Sequence, residues 1–480
     1  MLKILMATSE ASPFAKTGGL ADVLGSLPLA LQKEKAEVRV IMPKYGTMPE
    51  QLKEGIKHSC YIYVKVGWRN QYCGIEQAEH NGVTYYFIDN EFYFNREGHY
   101  GYDDDGERFA FFCKAVMDAV PHLDFTPDII HCHDWQTGMI PVLLESGYRK
   151  VDIYQNIDTV FTIHNLRYQG VFGIDQMKEW FELGDEYFTE DKLEFYGSGS
   201  FLKGGLTYAK ILTTVSQNYA QEIKDPFFAE RFEGILNARG HQLFGIVNGI
   251  DYNEFNPKKD KLIDRNFSKS NLSGKMVNKL SLQKELNLTE GEEIPLIAMI
   301  TRLVDQKGLD LVSCVFDELM SEEVQFVLLG TGELKYEQFF SEAMNRYPGN
   351  VSANIRFDNV LAHKIYAASD FFLMPSLFEP CGLGQLISLR YGTLPIVRET
   401  GGLKDTVSSY NEETGEGNGF SFTNYNAHDM LYTIRRALAV YKKKTVRSKL
   451  IKGAMSCDFS WQSSAAKYME LYQSMKKENS

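Results

Sequence analysis

The sequence predicts an α/β protein made of two doubly wound, Rossmann-like parallel-sheet domains. Three observations carry this expectation. Short apolar runs alternate with helix-patterned stretches in both halves of the chain. One segment between the halves breaks that alternation with glycine, proline and clustered charge. Glycine-containing turns follow several of the apolar runs, where sheets of this kind hold ligands.

The first set of runs is KILMAT, VRVIMP, YYFID, DIIHCH and TVFTIH, and the second is PLIAMIT, VQFVLLG, DFFLMP and LPIV. Their lack of polar alternation marks strands covered on both faces. Between the sets lies FGIVNGIDYNEFNPKKDK, in which Gly249, Pro257 and the charges after it end one pattern before the helical KMVNKLSLQKELNL begins. The boundary is therefore expected near Gly245, giving domains over 1–244 and 245–456. The last stretch, SWQSSAAKYMELYQSMKKENS, fits a terminal helix over 457–480 with a frayed polar tail.

A length of 480 residues exceeds one comfortable core at roughly 150 residues per domain. Hydrophobic residues at 44% and charged residues at 24% describe an ordinary folded protein rather than a disordered or fibrous one. The formal charge of −12 disfavours an extended nucleic-acid surface while leaving room for a local basic pocket. Seven scattered cysteines without a C-x-x-C pair read as free thiols in a reducing compartment. The N-terminal run is too short for a signal segment and no apolar 18-mer follows, so a cytoplasmic protein without a membrane partner is expected.

Candidate chemistry sits in the strand-end loops. After the first strand, SEASPFAKTGGLADV places Lys16 beside Gly18 and Gly19, as a ligand-binding turn or as a plain glycine turn with a solvated lysine. HCHDWQTG and TIHNLRYQG put His133, Asp134, Trp135, His164 and Asn165 after two further strands, residue types that hydrogen-bond a pyranose. His131 to Asp134 resemble metal ligands, but neighbours in an extended segment point to opposite faces and no closed ligand spacing follows. In YDDDGERF, Asp103, Asp104 and Asp105 read as N-terminal helix acids rather than a metal motif. The loop NEFYFNREGHYGY offers Tyr93, Tyr100 and Tyr102 either as flat platforms for a sugar chain or as local core.

In the second half, Arg302 and Lys307 of RLVDQKG lie at a strand end, as anion ligands or as solvated cations. PSLFEPCGLG places Glu379 before Cys381, Gly382, Leu383 and Gly384 at the start of a helix. The glycine amides suit phosphate, whereas the carboxylate would repel it and so suits sugar hydroxyls. Carboxylate and amides then grip different ends of one nucleotide sugar. RETGGLKDTV repeats a glycine turn that also reads as a plain helix cap.

In order, KTGGL at Lys16, HDW at His133, HNL at His164, NGID at Asn248, R-x-x-x-x-K-G at Arg302 and EPCGL at Glu379 resemble the bacterial glycogen and plant starch synthases over nearly the whole chain. The resemblance implies a GT-B architecture, with two Rossmann-like domains facing across a deep interdomain cleft and a C-terminal helix that crosses back to the first. It implies a retaining hexosyltransferase that extends an α-1,4-glucan from ADP-glucose, with no cofactor and no essential metal. The catalytic set carried over is His164, Glu379, Arg302, Lys307 and Asp134. Donor contacts are Lys16, Gly18, Gly19, Asn165, Asn248, Phe357, Cys381, Gly382, Leu383 and Gly384, with Phe357 stacking on the base. Tyr93, Tyr100, Tyr102 and Trp135 are the expected acceptor contacts. Some relatives carry threonine where this chain has Gly384, which removes a hydroxyl contact. Sucrose, trehalose-phosphate or cell-surface glycosyltransferases, a pyridoxal-phosphate glucan phosphorylase and a non-catalytic glucan-binding or nucleotide-sugar-sensing protein are the rival readings. No complete G-x-G-x-x-G follows the first strand, which counts against a dehydrogenase.

Overall fold

The computed structural model describes residues 1–477, and the polar tail expected over 478–480 lies outside them. The chain divides into two compact units, Met1–Ile246 with Trp461–Ser480, and Val247–Ser460. The first division falls two residues beyond the expected 244/245 boundary. The terminal helix, Trp461–Lys477, starts four residues beyond 457 because Ser460 still bridges to Ile250 of the second unit.

The first unit holds a nine-stranded sheet. Its order is Leu243–Gly245, Ile211–Thr214, Asp158–Ile163, Ile129–His133, Lys3–Ala7, Glu37–Pro43, Val83–Asp89, Arg69–His80 and Lys57–Val66. The strands run parallel up to Val83–Asp89, and the last two pair antiparallel. Ile4, Leu5 and Met6 are fully buried, as both-face coverage demands. The terminal helix belongs to this unit. Tyr472 on it bonds His131 Nδ1 through its hydroxyl at 2.7 Å, and Lys476 Nζ donates to the Asn156 carbonyl at 3.0 Å.

The second unit has an all-parallel six-stranded sheet, ordered Val351–Asn354, Gln325–Leu329, Leu296–Ile300, Phe371–Met374, Leu394–Arg398 and Phe420–Phe422. Successive residues of one strand enter opposite cores. Ile297, Phe326 and Phe371 pack on one face, while Leu296, Val327 and Phe372 pack on the other. Each such large side chain contributes on the order of 2 kcal/mol by leaving water.

The strand orders fix where ligands can bind. In the first sheet the connection direction reverses between Lys3–Ala7 and Ile129–His133, and in the second between Leu296–Ile300 and Phe371–Met374. At such a switch point the loops after the two strands diverge and open a crevice at their carboxyl ends. The four loops concerned are SEASPFAKTGG, HDWQTG, RLVDQKG and PSLFEPCGLG. These are the segments singled out on chemical grounds.

Candidate functional site

In the first unit, the loop after Lys3–Ala7 is organised by Glu10, which sequence reasoning passed over. Its buried carboxylate accepts the Thr17 backbone N–H, the Thr17 hydroxyl at 2.6 Å and the Tyr100 hydroxyl at 2.6 Å. The Ser9 hydroxyl lies 2.8 Å from the same Tyr100 oxygen and donates to it. The signal was present as an acid three residues past a buried strand at the sheet's switch point. Lys16 projects outward from this loop and pairs with Asp22 at 2.6 Å. Gly18 and Gly19 are exposed, and a Cβ added at either would meet nothing within 4 Å. Both start the helix Gly19–Lys33, whose first amides lack internal partners.

The neighbouring strands bring His133, Asp134, His164 and Asn165 together. His133 Nδ1 and His164 Nε2 lie 3.0 Å apart, and the His131 ring packs 4.1 Å from that of His133. Burial pushes His164 and His131 down to about 3 and holds His133 well below its ordinary value, so all three rings are neutral at pH 7. Asp134 adopts a left-handed backbone (φ 57°) that turns its carboxylate onto the next loop. There it accepts the His164 N–H at 2.8 Å and the Asn165 N–H. Burial outweighs these bonds and pushes Asp134 up to about 7.

The expected aromatic platform is corrected by the structure. Tyr93 is fully buried, its hydroxyl donating to Glu107, so it is core rather than an acceptor contact. The Tyr102 ring is covered by the guanidinium groups of Arg96 and Arg108, at 4.8 and 5.0 Å. Tyr100 supports the first loop through its hydroxyl. Trp135 is half-buried against Phe109, Phe172, Phe201 and Gly170, where a Cβ would come within 2.3 Å of its ring. Asp105 opens the helix Asp105–Ala119, and Asp104 and Asp105 pair with Arg96 and Arg108.

The second unit brings the R-x-x-x-x-K-G turn and the EPCGL loop into direct contact. Lys307 Nζ lies 2.6 Å from Glu379 Oε2, which also accepts from Ser376 at 3.2 Å. Gln306 bonds the same loop through the Phe378 carbonyl and the Leu377 N–H. Arg302 is exposed at the end of Leu296–Ile300. Gly308 has a structural task. At φ +71°, a Cβ there would sit 2.1 Å from the Pro375 carbonyl oxygen. Gly401 is similar, since its Cβ would lie 1.9 Å from the Glu379 carbonyl, so the RETGG turn seats the Glu379 loop.

Gly382 is left-handed (φ +72°), and Leu383 and Gly384 lead into the helix Gly384–Arg390. Gly384 packs on the Phe372 ring, which a Cβ would approach to 2.7 Å. Cys381 is buried, takes the Asn248 backbone N–H, and is pushed up to about 12, which removes it as a thiolate. Asn248 is buried with no partner for its side-chain oxygen. Phe357 stands 90% exposed just before the helix Asn359–Ala368, a ring without protein cover.

Comparison with known proteins matches residues 3–238 to the starch synthase catalytic domain and residues 283–454 to glycosyl transferases group 1. A glycogen synthase of Geobacillus thermodenitrificans is 54% identical over 474 residues, covering 99% of this chain and 98% of the relative. One from Anoxybacillus flavithermus is 53% identical over 471 residues, covering 98% and 97%. The catalytic domain of starch synthase IV from Arabidopsis thaliana, solved bound to ADP and acarbose, superposes with a TM-score of 0.90 at 33% identity over 98% of each chain. Sucrose-phosphate synthase from Thermosynechococcus elongatus shares the fold with a TM-score of 0.62 at 16% identity, covering 99% of this chain and all of that one. Two Rossmann-like units with these neighbours define a GT-B glycosyltransferase. The chain belongs to the glycogen and starch synthase family of hexosyltransferases.

Proposed function

We propose that this chain transfers glucose from ADP-glucose to the non-reducing 4-hydroxyl of an α-1,4-glucan, with retention of configuration and release of ADP, in glycogen biosynthesis. The observation that carries the reading is the Lys307–Glu379 pair at 2.6 Å, held on the two loops of one switch point, with Arg302 on the same loop as Lys307. A cation next to a carboxylate suits a ligand with both charge and hydroxyls. Lys307 and Arg302 would take the diphosphate, while Glu379 would accept hydrogen bonds from the sugar. The ADP and acarbose in the starch synthase relative support adenosine diphosphate as the leaving group.

Retention through a covalent intermediate requires a free carboxylate nucleophile. Asp134 is poorly suited to that role, since two backbone amides occupy it and its acidity is reduced to about 7. The chemistry is instead a front-face substitution. The acceptor 4-hydroxyl oxygen bonds to C1 as the C1–oxygen bond to the diphosphate breaks, and the hydroxyl proton passes to the departing phosphate oxygen. Arg302 and Lys307 stabilise the charge that develops there. The neutral His164 would face the glucose, its backbone carbonyl shielding the anomeric carbon, with Asp134 orienting that loop. Lys16, Gly18 and Gly19 would contact the donor, and Asn248 and Phe357 would hold the nucleotide.

With two side-chain cations assigned to the diphosphate, transfer should proceed in the presence of a chelator and without a cofactor. The seven free cysteines support a cytoplasmic location. The partners are the glucan and the nucleotide sugar, with no nucleic acid or membrane. Among the described residues no helix is long and apolar enough to cross a membrane. Replacing Arg302 and Lys307 together by alanine should lower kcat by about 100-fold or more with circular dichroism unchanged. Near-normal turnover in that variant refutes the diphosphate assignment.

A further inference from the structure

His133 is fully buried at the end of the strand Ile129–His133, and its Nδ1 lies 3.0 Å from His164 Nε2. Both rings are neutral, so one imidazole donates across this contact and the other accepts. The far side of His133 sets the direction. Its Nε2 is buried and has no hydrogen-bond partner among the described residues. The neighbouring His131 ring packs 4.1 Å away, but its own nitrogens are engaged by the Tyr472 hydroxyl at 2.7 Å and the Thr162 hydroxyl at 2.6 Å.

Were His164 the donor, His133 would have to accept at Nδ1 and carry its proton on that partnerless Nε2. A buried N–H without an acceptor is rarer in folded proteins than an acceptor without a donor. His133 therefore holds its proton on Nδ1 and donates to His164. Which nitrogen of a neutral histidine is protonated is set by the bond that the other nitrogen makes. His164, accepting at Nε2, thus carries its proton on Nδ1. That nitrogen makes no bond to a described residue, and His164 is half-buried rather than sealed. The backbone around the pair is held as well. Thr137 Oγ1 donates to the His133 carbonyl at 2.9 Å, and the Asp134 carboxylate accepts the His164 N–H at 2.8 Å.

We propose that His133 is a positioning residue that locks His164 in its Nδ1–H tautomer, so that a neutral N–H donor is presented to a hydroxyl of the transferred glucose. The glucose partner rests on the transfer reading given above, whereas the tautomer does not. The test pairs nitrogen NMR spectra of the full-length protein carrying isotope-labelled histidines with initial rates on ADP-glucose and glycogen. The His164 signals are assigned by their loss in His164→Gln. In the wild-type protein His164 should be protonated at Nδ1 and bare at Nε2. His133→Asn can still donate through its amide and should keep that tautomer, with kcat/KM for ADP-glucose within about threefold of wild type. His133→Met offers only a thioether acceptor, so the His164 proton should move to Nε2 and kcat/KM should fall about tenfold, the loss of one hydrogen bond. A wild-type His164 protonated at Nε2 would overturn the proposal, whether or not His133→Met folds. So would a fall in kcat/KM in His133→Met with the tautomer unchanged, since that marks packing alone. The expected tautomer in a protein that transfers no glucose sinks the transferase reading and leaves the tautomer lock standing.

Discussion

Lys307 and Glu379 have side chains only 16% and 9% exposed, so each depends on the other for its charge partner. Glu379→Ala leaves a largely buried ammonium unmatched and should cost roughly 1–3 kcal/mol of stability as well as most of the activity. Glu379→Gln keeps the shape and should recover much of the stability without the activity, as thermal unfolding and initial rates on the two variants will show. The sequence made this pair legible as two separate chemistries and silent as a contact, because the residues stand 72 positions apart. Tyr93 shows the opposite failure. An aromatic-rich loop does not reveal which rings turn inward, and here the core took Tyr93 while arginines covered Tyr102. Tyr93→Ala should lose about 3–5 kcal/mol. Tyr93→Phe should retain wild-type KM for glucan, whereas a raised KM would return Tyr93 to the acceptor site.

At the scale of elements, the strand-to-loop assignments were readable because buried parallel strands are continuous apolar runs and ligand loops follow them. The reasons behind individual glycines were not readable. Gly308 closes the R-x-x-x-x-K-G motif and is a point where two loops touch backbone to backbone. Gly308→Ala combines left-handed strain with a clash at the Pro375 carbonyl and should destabilise the second unit by on the order of 2 kcal/mol or more. Because the same turn carries Lys307, the KM for the donor should rise with it. A variant of wild-type stability and KM would show that the turn relaxes freely. Glu10 was missed for a related reason, since its partners are its own loop and a tyrosine 90 residues away.

For the whole molecule, the division near Gly245 was visible as a change of composition, whereas membership of the terminal helix in the first unit depends on contacts such as Tyr472 with His131. That unit also sets an acid limit on stability. His131, His133 and His164 are held neutral in the fold, so the stability this gives is present above about pH 6.5 and is lost as pH falls towards about 3. Asp134, raised to about 7, acts in the opposite sense, its contribution being lost as pH rises. Three histidines outweigh one aspartate, giving a net loss of roughly 2–4 kcal/mol between pH 6.5 and 5. Urea midpoints at the two pH values measure it, and an equal or higher midpoint at pH 5 contradicts the neutral histidine cluster.

The most direct test of the transferase is to incubate the full-length protein with glycogen and labelled ADP-glucose, UDP-glucose or GDP-glucose in the presence of a chelator. Label incorporation and nucleotide release are followed together. Glucan-dependent incorporation is expected, greatest from ADP-glucose, matched by ADP release and removable by an α-1,4-specific amylase. Folded protein that binds glycogen yet incorporates no label from any donor would contradict the transferase reading.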